Sequence, residues 1–585
     1  MKQFLKYTLA SMFGVIVAFT LLFLILIGIG SSLSKSDSTF EVKDNSVLKI
    51  VLNGEISEQS IDNPFNMNIP GIPIGTKNLK QGLDNILAAI SRAKENSSIK
   101  GIYIETGVLR AGWSTAAEIR NALTQFKKSG KFIWAYGEMM GQKEFFICTA
   151  ADSIFLNPQG MIELSGLSAT PIFYKETLAK IGVEPEIFKV GTFKSAVEPY
   201  INTKMSDASR LQTASFLNGM WGEVLSQISK SRKISIETLQ ELANHNTTFD
   251  SGENLVKNKL ADRLLYKTDM EDLLKTKVGA NVNSDLQAVS PAQLMTNLNK
   301  SASIEREKIA ILYADGEIFD SGSEGIVIDK IIKDITALRK DSLVKAVVFR
   351  VNSPGGSAYA SEQIWKAIED LKMVKPVVVS MGDYAASGGY YISCGASKIV
   401  ASNNTLTGSI GIFGMFFNVN ELTKKLGLSF DVVKTNQLSD FGNLTRAMTP
   451  LEKQKIQNYV NSGYDLFIKR CSDGRHIDDA QMRKIAEGRV WTGKQAKELG
   501  LVDEIGGIDE ALKIAAKLGK ISKYRLVSYP EKKDFFKQLI EDLTSDTQLK
   551  MVKWILGDEY NALIKLKTSK IQTGIVARMD PLEIN

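Results

Sequence analysis

The sequence predicts an α/β protein of two tandem domains, derived from an internal duplication and preceded by one N-terminal transmembrane helix. The chain passes twice through the same order of short apolar strands and amphipathic helices. From Gly137 and Gly382 onward, an offset of 245 residues aligns the two copies without a gap for about fifty residues. Near the N-terminus, 24 consecutive residues lack a charged side chain.

The uncharged run "YTLASMFGVIVAFTLLFLILIGIG" occupies residues 7–30. As a helix it would rise roughly 36 Å, which exceeds the ~30 Å hydrocarbon core of a bilayer. A cleaved signal peptide usually has a shorter apolar core, so we interpret the run as an uncleaved anchor. Lys2 and Lys6 precede it and favour a cytoplasmic N-terminus, residues 1–6, with most of the chain across the membrane beyond a juxtamembrane linker, residues 31–45.

Three pairs of strands and one pair of helices carry the repeat. The paired strands are 48–56 and 308–318, 98–106 and 343–351, and 131–138 and 375–383. Spacings of four and three place the apolar residues of each helix on one face. These residues are Ile119, Leu123 and Phe126 in the first copy and Ile364, Ile368 and Leu371 in the second. The order predicts largely parallel sheets covered by helices.

The polar residues 281–305 are interpreted as the linker between a first domain, residues 46–280, and a second domain, residues 306–530. The first copy contains an additional apolar loop, residues 63–75, punctuated by proline and glycine. Apolar residues at helical spacing predict a helical tail over residues 531–585.

The composition excludes several classes of function. Lys and Arg number 72 against 65 Asp and Glu, and no dense basic run is interleaved with aromatic residues, so a nucleic-acid partner is not expected. Three cysteines, Cys148, Cys394 and Cys471, are too few for a disulfide framework and form no zinc motif. Each is interpreted as a small buried hydrophobic residue. No metal and no cofactor is expected.

One serine, Ser387, lies among residues with almost no side chain in "MGDYAASGGYYIS" (381–393). A tight strand-to-helix turn explains such a stretch, and so does a nucleophile that a peptide must reach. The repeat favours the nucleophile, because Gln142 is the aligned residue in the first copy, whereas Lys194 of the first copy aligns with Ser439. Neither copy holds both a candidate nucleophile and a candidate base, but the two copies together do.

A serine that attacks an amide needs a base for its proton. The two histidines, His245 and His476, lie in polar stretches typical of surface or capping residues, so a Ser–Lys pair is better supported than a Ser–His–Asp triad. A lysine acts as a base only when neutral, which requires burial or a positive neighbour to lower its usual pKa of ~10.4. Apolar neighbours in "VGTFKSAVEP" favour Lys194, with Glu198 expected to point away from it.

Backbone N–H groups must also stabilise the oxyanion that forms in such a reaction. In "RVNSPGGSA" a strand ends and a helix begins, and Gly355 and Gly356 let N–H groups face an anion with no Cβ in the way. Gly388, directly after the serine, is the natural second donor. The first copy has Arg110 and Ala111 in place of the glycine pair.

The motifs "NSPGGS", "GDYAASGGYYIS", "TLTGSIGIFG" and "GTFKSAVEP" resemble those of the long, duplicated signal peptide peptidase A (protease IV) family, over nearly all of residues 46–530. The resemblance implies Clp-protease/crotonase-like domains and a serine endopeptidase that degrades cleaved signal peptides through an acyl-enzyme. Carried over to this sequence, the family's site residues are the nucleophile Ser387, the base Lys194, the lysine-orienting Ser409, and the oxyanion donors Gly355, Gly356 and Gly388.

The resemblance also implies a substrate class, a cellular location and an oligomeric state. Apolar signal peptides would be the substrates, and the protein would be a single-pass member of the bacterial inner membrane with its catalytic body on the periplasmic side. The long form is expected to be a bowl-like homo-oligomer, a tetramer. We hypothesise that the 63–75 loop faces the membrane or the substrate entry. The sequence does not tell whether the serine and lysine that meet belong to one protomer.

Two alternatives stay open. One is a catalytically inactive, membrane-anchored scaffold, since this fold also supports non-hydrolytic roles. The other is a crotonase-type acyl-CoA enzyme, in which glycine-loop N–H groups would hold a thioester enolate. Only the peptidase explains why one copy supplies a serine and the other a lysine.

Overall fold

A computed structural model describes the greater part of the chain. The described residues are 41–60, 81–296, 305–322, 324–531, 574–579 and Ile584, together with eight isolated positions between residues 3 and 21. The predictions of a membrane span at 7–30, a substrate-facing loop at 63–75 and tail helices at 532–543 and 551–566 concern residues outside this set, apart from a few isolated ones. Among the described residues, no helix has both the length and the apolar character to cross a bilayer.

The strands follow the order of the predicted repeat. Those of the first half are β1 (Ser46–Ser57), β2 (Gln81–Gly82), β3 (Ile99–Arg110), β4 (Phe132–Met140), β5 (Ser153–Ile162), β6 (Glu184–Lys189), β7 (Arg263–Leu264) and β8 (Ala288–Val289). Those of the second half are β9 (Lys308–Asp315), β10 (Ile318–Phe319), β11 (Ile326–Val327), β12 (Val344–Ser353), β13 (Gly355–Ser357), β14 (Val377–Ala386), β15 (Lys398–Ala401), β16 (Leu406–Gly408), β17 (Phe413–Asn418), β18 (Val490–Thr492), β19 (Glu504–Ile505), β20 (Arg525–Tyr529) and β21 (Gly574–Arg578).

Helices separate most of these strands. In the first half they are α1 (Leu83–Glu95), α2 (Trp113–Phe126), α3 (Gln142–Cys148), α4 (Lys175–Ile181), α5 (Glu198–Ile201), α6 (Asp207–Arg232), α7 (Ile236–His245), α8 (Gly252–Lys257), α9 (Lys267–Val278) and α10 (Pro291–Thr296). In the second half they are α11 (Ile328–Lys340), α12 (Ala358–Lys372), α13 (Gly388–Tyr391), α14 (Asn420–Lys425), α15 (Pro450–Arg475), α16 (Asp479–Ile485), α17 (Gly493–Glu498) and α18 (Ile508–Leu518).

Each half builds its own sheet. In the first half the strand order is β2–β1–β3–β4–β5–β7, with β8 beside β1, and all pairs are parallel. In the second half the order is β18–β16–β14–β12–β9–β20, with β15 beside β14 and β19 beside β15, and only the β16–β18 pair is antiparallel. The repeat of parallel strands confirms the predicted tandem α/β architecture.

The predicted strands and helix faces are confirmed in detail. All six paired strands are present, and their ends differ from the predicted ends by a few residues. The six apolar residues predicted to share helix faces are all buried in α2 and α12. The central strands β3 and β12 are buried on both faces over Gly101–Ile104 and Ala346–Val351, as expected for parallel sheets covered by helices. The three cysteines are buried and free, as predicted.

A third sheet joins the two halves. Its order is β11–β10–β13–β21–β17–β6, so a strand of the first half, β6, completes a sheet of the second. The β6–β17 pair is antiparallel, from Lys189 opposite Phe413 to Glu184 opposite Asn418. Because β6 leads directly into the loop that contains Lys194, this pairing carries the predicted base across to the second half.

Two expectations about connecting segments need correction. The predicted linker, residues 281–305, contains β8 and α10. They belong to the first half because β8 pairs with β1 and Leu294 of α10 packs into the core of that half. The C-terminal tail was expected to be helical, yet residues 574–578 form β21. Two β-branched residues, Ile575 and Val576, favour an extended strand there, and its two neighbouring strands satisfy its backbone groups.

A buried ion cluster also links the halves. Arg350 of β12 donates from Nε to the Glu58 carboxylate (2.8 Å) and from Nη2 to the Glu118 carboxylate of α2 (2.6 Å). All three side chains are almost fully excluded from solvent. Burial raises the pKa of Glu58 above its ordinary value, although Arg350 opposes the shift.

A second contact between the halves lies close to the predicted nucleophile. The Asp383 carboxylate accepts from the Ser114 N–H (2.8 Å), the Thr115 N–H (3.0 Å) and the Thr115 hydroxyl (2.7 Å). Asp383 of β14 therefore caps the N-terminus of α2, where the helix dipole favours a negative charge. Ser387 lies four residues after Asp383, directly beyond the end of β14, so the cap fixes the strand that leads to it against the first half.

We expect Arg350→Met to destabilise the protein by about 3–5 kcal/mol, because it leaves two buried carboxylates without their cation. The matched control is Arg483→Met, since Arg483 pairs with Asp465 at the surface, where the two side chains are 45% and 60% exposed. That change should cost about 1 kcal/mol or less. The midpoints of urea unfolding measure both. Equal midpoints would contradict the importance of the buried cluster.

Candidate active site

The predicted base and nucleophile meet within one chain. Lys194 Nζ lies 2.8 Å from Ser387 Oγ, 3.1 Å from Ser409 Oγ and 3.1 Å from the Ser409 carbonyl oxygen. The lysine comes from the first half and both serines come from the second. The sequence left open whether the pair forms within a protomer, and the structure brings these residues together in a single chain.

The surroundings of Lys194 favour its neutral form. The side chain is 1% exposed, and burial lowers the pKa of its amine well below the ordinary value for lysine. The Phe413 ring centroid lies 6.0 Å from Nζ. The sequence predicts that Glu198 points away from Lys194, and the two carboxylate oxygens of Glu198 accept from the backbone N–H and the hydroxyl of Ser206, at 2.9 and 2.6 Å. The Glu198 carboxylate is therefore hydrogen-bonded to Ser206.

Ser387 lies at a strained junction. It follows the last residue of β14 and precedes α13, with φ 55° and ψ −114°, a conformation that non-glycine residues rarely adopt. Its N–H donates to the Gly408 carbonyl (2.8 Å) and its Oγ lies 3.3 Å from the Gly411 carbonyl oxygen. Ser409 also has a positive φ, 48°. Strain of this kind costs of order 1–3 kcal/mol per residue and is concentrated at functional sites.

The three predicted oxyanion glycines contribute differently. The N–H of Gly355 donates to Ser353 Oγ (3.1 Å), so this group is already engaged. Gly355 instead supplies space, because a Cβ there would overlap the Ala577 carbonyl oxygen and approach the Gly388 nitrogen to 2.7 Å. Its positive φ, 102°, also suits glycine. The Gly356 and Gly388 N–H groups remain as the candidate donors.

Three contacts that support Lys194 were not found from the sequence. Gly488 leaves room for the lysine stem, since a Cβ there would lie 2.7–2.8 Å from Lys194 Cβ, Cα and N. Gln212 of α6 donates to the Phe193 carbonyl (3.0 Å) and to Ser195 Oγ (2.7 Å), on either side of the lysine. No motif marks either residue, because their role depends on packing between elements distant in sequence.

The equivalent position in the first half lacks this chemistry. Gln142, aligned with Ser387, donates to the Gly166 carbonyl (2.9 Å) and accepts from the N–H groups of Ser165 (3.0 Å) and Gly166 (2.9 Å). The amide thus closes a turn of the backbone. The two histidines also lie away from the site: His245 is exposed beside Asp250, and His476 caps the C-terminus of α15.

Comparison of the sequence with protein-family models supports the interpretation of this site as that of a peptidase. The model of peptidase family S49 matches residues 125–281 and 369–522, which together make up more than half of the chain. The chain belongs to peptidase family S49. A Clp protease model also matches residues 306–405, in agreement with the expected Clp-protease-like fold. The two S49 regions agree with the tandem duplication.

Curated relatives extend this agreement to most of the sequence. "Protease 4" of Salmonella typhi is 35% identical over 86% of this chain and 82% of its own length. "Serine protease SPPA, chloroplastic" of Arabidopsis thaliana is 29% identical over 92% of this chain and 78% of its own. "Putative signal peptide peptidase SppA" of Enterococcus faecium is 34% identical over 38% of this chain and 67% of its own. The family inferred from the motifs is confirmed, and the chain is a serine peptidase.

We expect Gly488→Ala to displace Lys194 and to lower kcat/KM on an apolar fluorogenic peptide about a hundredfold, as misplacement of a catalytic group by 1 Å does elsewhere. The matched control is Gly279→Ala, because Gly279 has the same φ of +75° and no described atom lies within 4 Å of the methyl group that alanine would add. It should lose about 1–2 kcal/mol of stability and keep its activity. Equal activities would contradict a positioning role for Gly488.

Proposed function

We propose that this peptidase hydrolyses apolar peptides, including signal peptides released from secreted proteins, through an acyl-enzyme on Ser387 with Lys194 as the base. The observation that carries the proposal is the 2.8 Å approach of a buried amine, its pKa lowered by burial, to a serine hydroxyl at the end of a strand. A relative named as a putative signal peptide peptidase supports the substrate class.

The proposed reaction begins with a hydrogen bond from the Ser387 hydroxyl to the neutral amine of Lys194. As Oγ attacks the peptide carbonyl carbon, Nζ takes the hydroxyl proton, and the oxyanion accepts from the N–H groups of Gly356 and Gly388. The resulting ammonium gives its proton to the leaving amine. Water then attacks the ester with the amine again as base. Ser409 holds Nζ in place through its hydroxyl and carbonyl oxygens.

The peptide is proposed to bind as a strand between β13 and β17. These strands do not pair with each other, and β21 fills the space between them with antiparallel pairing on both sides. A peptide that took the place of β21 would have its backbone groups satisfied irrespective of sequence, and the side-chain pockets would give selectivity. Here the pockets are apolar: Val576 of β21 packs against Val197, Phe413 and Met415. Such surroundings favour apolar substrates.

Two observations speak for this function over its alternatives. In a scaffold without catalytic activity, the burial of Lys194 and the strained conformation of Ser387 would lower the stability of the protein and bring no benefit. An acyl-CoA enzyme would use the glycine N–H groups but not the pairing of a serine from one half with a lysine from the other. A peptidase needs both features.

The location of the protein is part of the proposal. The uncharged residues 7–30 would anchor it as a single-pass protein of the bacterial inner membrane, with residues 1–6 inside and the catalytic body on the periplasmic side. Anchoring would hold the enzyme close to apolar peptides that partition into the bilayer. The 63–75 loop, with its apolar and proline-rich sequence, remains a candidate for the side that faces the membrane.

Assembly into a homo-oligomer, a tetramer by resemblance to the family, is supported by the repeat itself. Residues 429–434 are the equivalents of β6 at the 245-residue offset. In the first half β6 pairs with the second half, whereas Phe430, Val432 and Val433 are 58%, 49% and 97% exposed. We propose that residues 429–434 of one copy dock on the first half of another copy, as β6 docks within the chain.

A pair of glycines also differs in this way, because the one in the first copy is packed against the second half and its equivalent is exposed. Gly182 and Gly427 are repeat equivalents with φ of +84° and +74°. The Gly182 carbonyl accepts from the Leu422 N–H (2.9 Å), and a Cβ on Gly182 would lie 2.6 Å from that nitrogen. At Gly427 the described part of the chain leaves open space. A neighbouring copy would supply the packing and hydrogen-bonding partners of Gly427, as the second half supplies those of Gly182.

We expect Ser387→Ala to abolish hydrolysis of an apolar fluorogenic peptide and Lys194→Ala to lower kcat/KM by about 10²–10⁴-fold, the usual contribution of a general base. The control is Gln142→Ala, which removes the repeat equivalent of the nucleophile and should keep full activity. In the unaltered enzyme, kcat/KM should rise with pH as the ammonium of Lys194 loses its proton. Since burial lowers this pKa, the rise should be centred well below the ordinary pKa of lysine. Full activity of either site variant would contradict the dyad.

We expect Val433→Asp to shift the detergent-solubilised full chain from oligomer to monomer in light scattering, because the charge would be buried at the proposed docking segment. The control is Met373→Asp, an equally conspicuous apolar side chain, 82% exposed, outside the segment. It should leave the mass unchanged. An oligomer that survives Val433→Asp would place the contact elsewhere.

A further inference from the structure

One short segment of the second half, residues 487–490, packs against the loop that carries the base. The Glu487 carbonyl accepts from the N–H of Phe193 (3.0 Å), the residue directly before Lys194. Gly488 lies against the lysine itself, since a Cβ there would lie 2.7–2.8 Å from Lys194 Cβ, Cα and N. The position of the lysine therefore depends on this segment.

The side chain of Arg489, the third residue of the segment, lies between two aromatic rings. Its guanidinium carbon is 4.8 Å from the ring centroid of Phe193 and 4.2 Å from that of Trp491. A guanidinium plane stacks well on aromatic faces, and it is attracted to them more strongly where water is excluded. Trp491 is fixed in turn, because its Nε1 donates to the Ile485 carbonyl (3.0 Å). Arg489 therefore holds Phe193 against a ring that is itself held in place.

No acidic partner accounts for the position of the Arg489 side chain. Among the residues that the structure describes, Arg489 forms no ion pair, and its Nε is buried without a hydrogen-bond partner. A buried N–H group without a partner lowers the stability of a protein. The Arg489 backbone is engaged at the site, since its carbonyl accepts from the N–H of Ser409 (2.7 Å), the residue that contacts Lys194 Nζ. The side chain thus has the rings as its partners, and one of these rings precedes the base.

We propose that Arg489 is a positioning residue for the general base and acts on it through Phe193. The stacked ring shields Lys194 from water and keeps its amine at the distance from Ser387 at which it can take a proton. The proposal rests on the peptidase function proposed above and adds a residue that does not itself react. The side chain carries this role, because any residue at position 489 would offer the same carbonyl to Ser409.

Shielding from water is what keeps the lysine neutral. Of the described residues that line the cavity beside Lys194, Glu198 alone carries another charge, and Ser206 binds its carboxylate. Glu487 and Arg489 carry the charges of the segment packed against the lysine, and these are of opposite sign. Burial, rather than a neighbouring charge, lowers the pKa of Lys194. Any change that lets water reach the amine should therefore raise this pKa.

The test measures the pH dependence of kcat/KM on an apolar fluorogenic peptide for the unaltered full chain and for Arg489→Met. Methionine fills part of the space of the arginine but has no charged plane to stack on Phe193. We expect kcat/KM to fall about tenfold to a hundredfold, because small displacements of a catalytic group have effects of this size. The midpoint of the rise with pH should move up by about half a unit or more, as water reaches the amine of Lys194.

The midpoint separates a positioning role from a merely structural one. A smaller amount of folded enzyme would lower the rate equally at every pH and would leave the midpoint unchanged. An unchanged midpoint in Arg489→Met would therefore overturn the proposal. Arg489→Lys is a second variant that keeps the positive charge without the planar group, and it should shift the midpoint in the same direction by less.

The matched control is Arg483→Met. Arg483 also lies over an aromatic ring, 5.7 Å from the centroid of Tyr464, but it does not line the cavity beside Lys194. This change should leave both the rate and the midpoint as they are. A shift as large as that of Arg489→Met would show that the effect is unspecific, and the proposal would fail.

A cycle of single and double variants tests the route through the ring. Phe193→Leu should lower the rate and raise the midpoint as Arg489→Met does. The double variant should lose little more than either change alone, because both remove the same contact. Losses that multiply would show that the two side chains act independently, and would overturn the assigned route.

The unaltered enzyme and Ser387→Ala distinguish the failure of this proposal from failure of the function. If the unaltered enzyme cleaves the peptide, Ser387→Ala does not, and Arg489→Met keeps its midpoint, the positioning role is overturned and the peptidase function stands. If the unaltered enzyme cleaves nothing, both proposals fail.

Discussion

The site depends on one interaction, the contact between a buried amine from the first half and a serine hydroxyl from the second. A lysine so deeply buried is destabilising as an ammonium, so the surrounding packing must hold it in the neutral form that can accept a proton. Every element that carries Lys194 to Ser387 serves this contact: the β6–β17 pairing, the space left by Gly488 and the hydrogen bonds of Gln212.

The alignment of the halves against each other is the second requirement. Arg350 ties β12 to Glu58 and Glu118, and Asp383 caps a helix of the first half four residues before the nucleophile. Buried polar contacts are directional, so they tolerate a shift between the halves less readily than apolar packing does. The elements on either side of Ser387, β14 and α13, hold its strained backbone in place, so the strain persists in the folded protein.

Much of this was predictable from the sequence, because it was encoded locally. Strand periodicity gave the six paired strands, and the repeat indicated that Ser387 and Lys194 complement each other. Gln212 and the engagement of the Gly355 N–H were not predictable, since they depend on packing between distant segments. The strand at residues 574–578 was missed because its conformation is set by the open edges of β13 and β17 rather than by its own pattern.

The shared third sheet has a consequence for how such an enzyme could arise. The first copy passes β6, and with it Lys194, to the second copy, so a unit with one copy alone and the same pairing would bring its lysine to the serine of a neighbouring unit. In the duplicated chain this contact is internal. This contact needs no nucleophile from the first copy, whose equivalent position holds Gln142, which closes a backbone turn. Duplication therefore lets the two halves differ, so that one carries the base and the other carries the nucleophile of a single shared site.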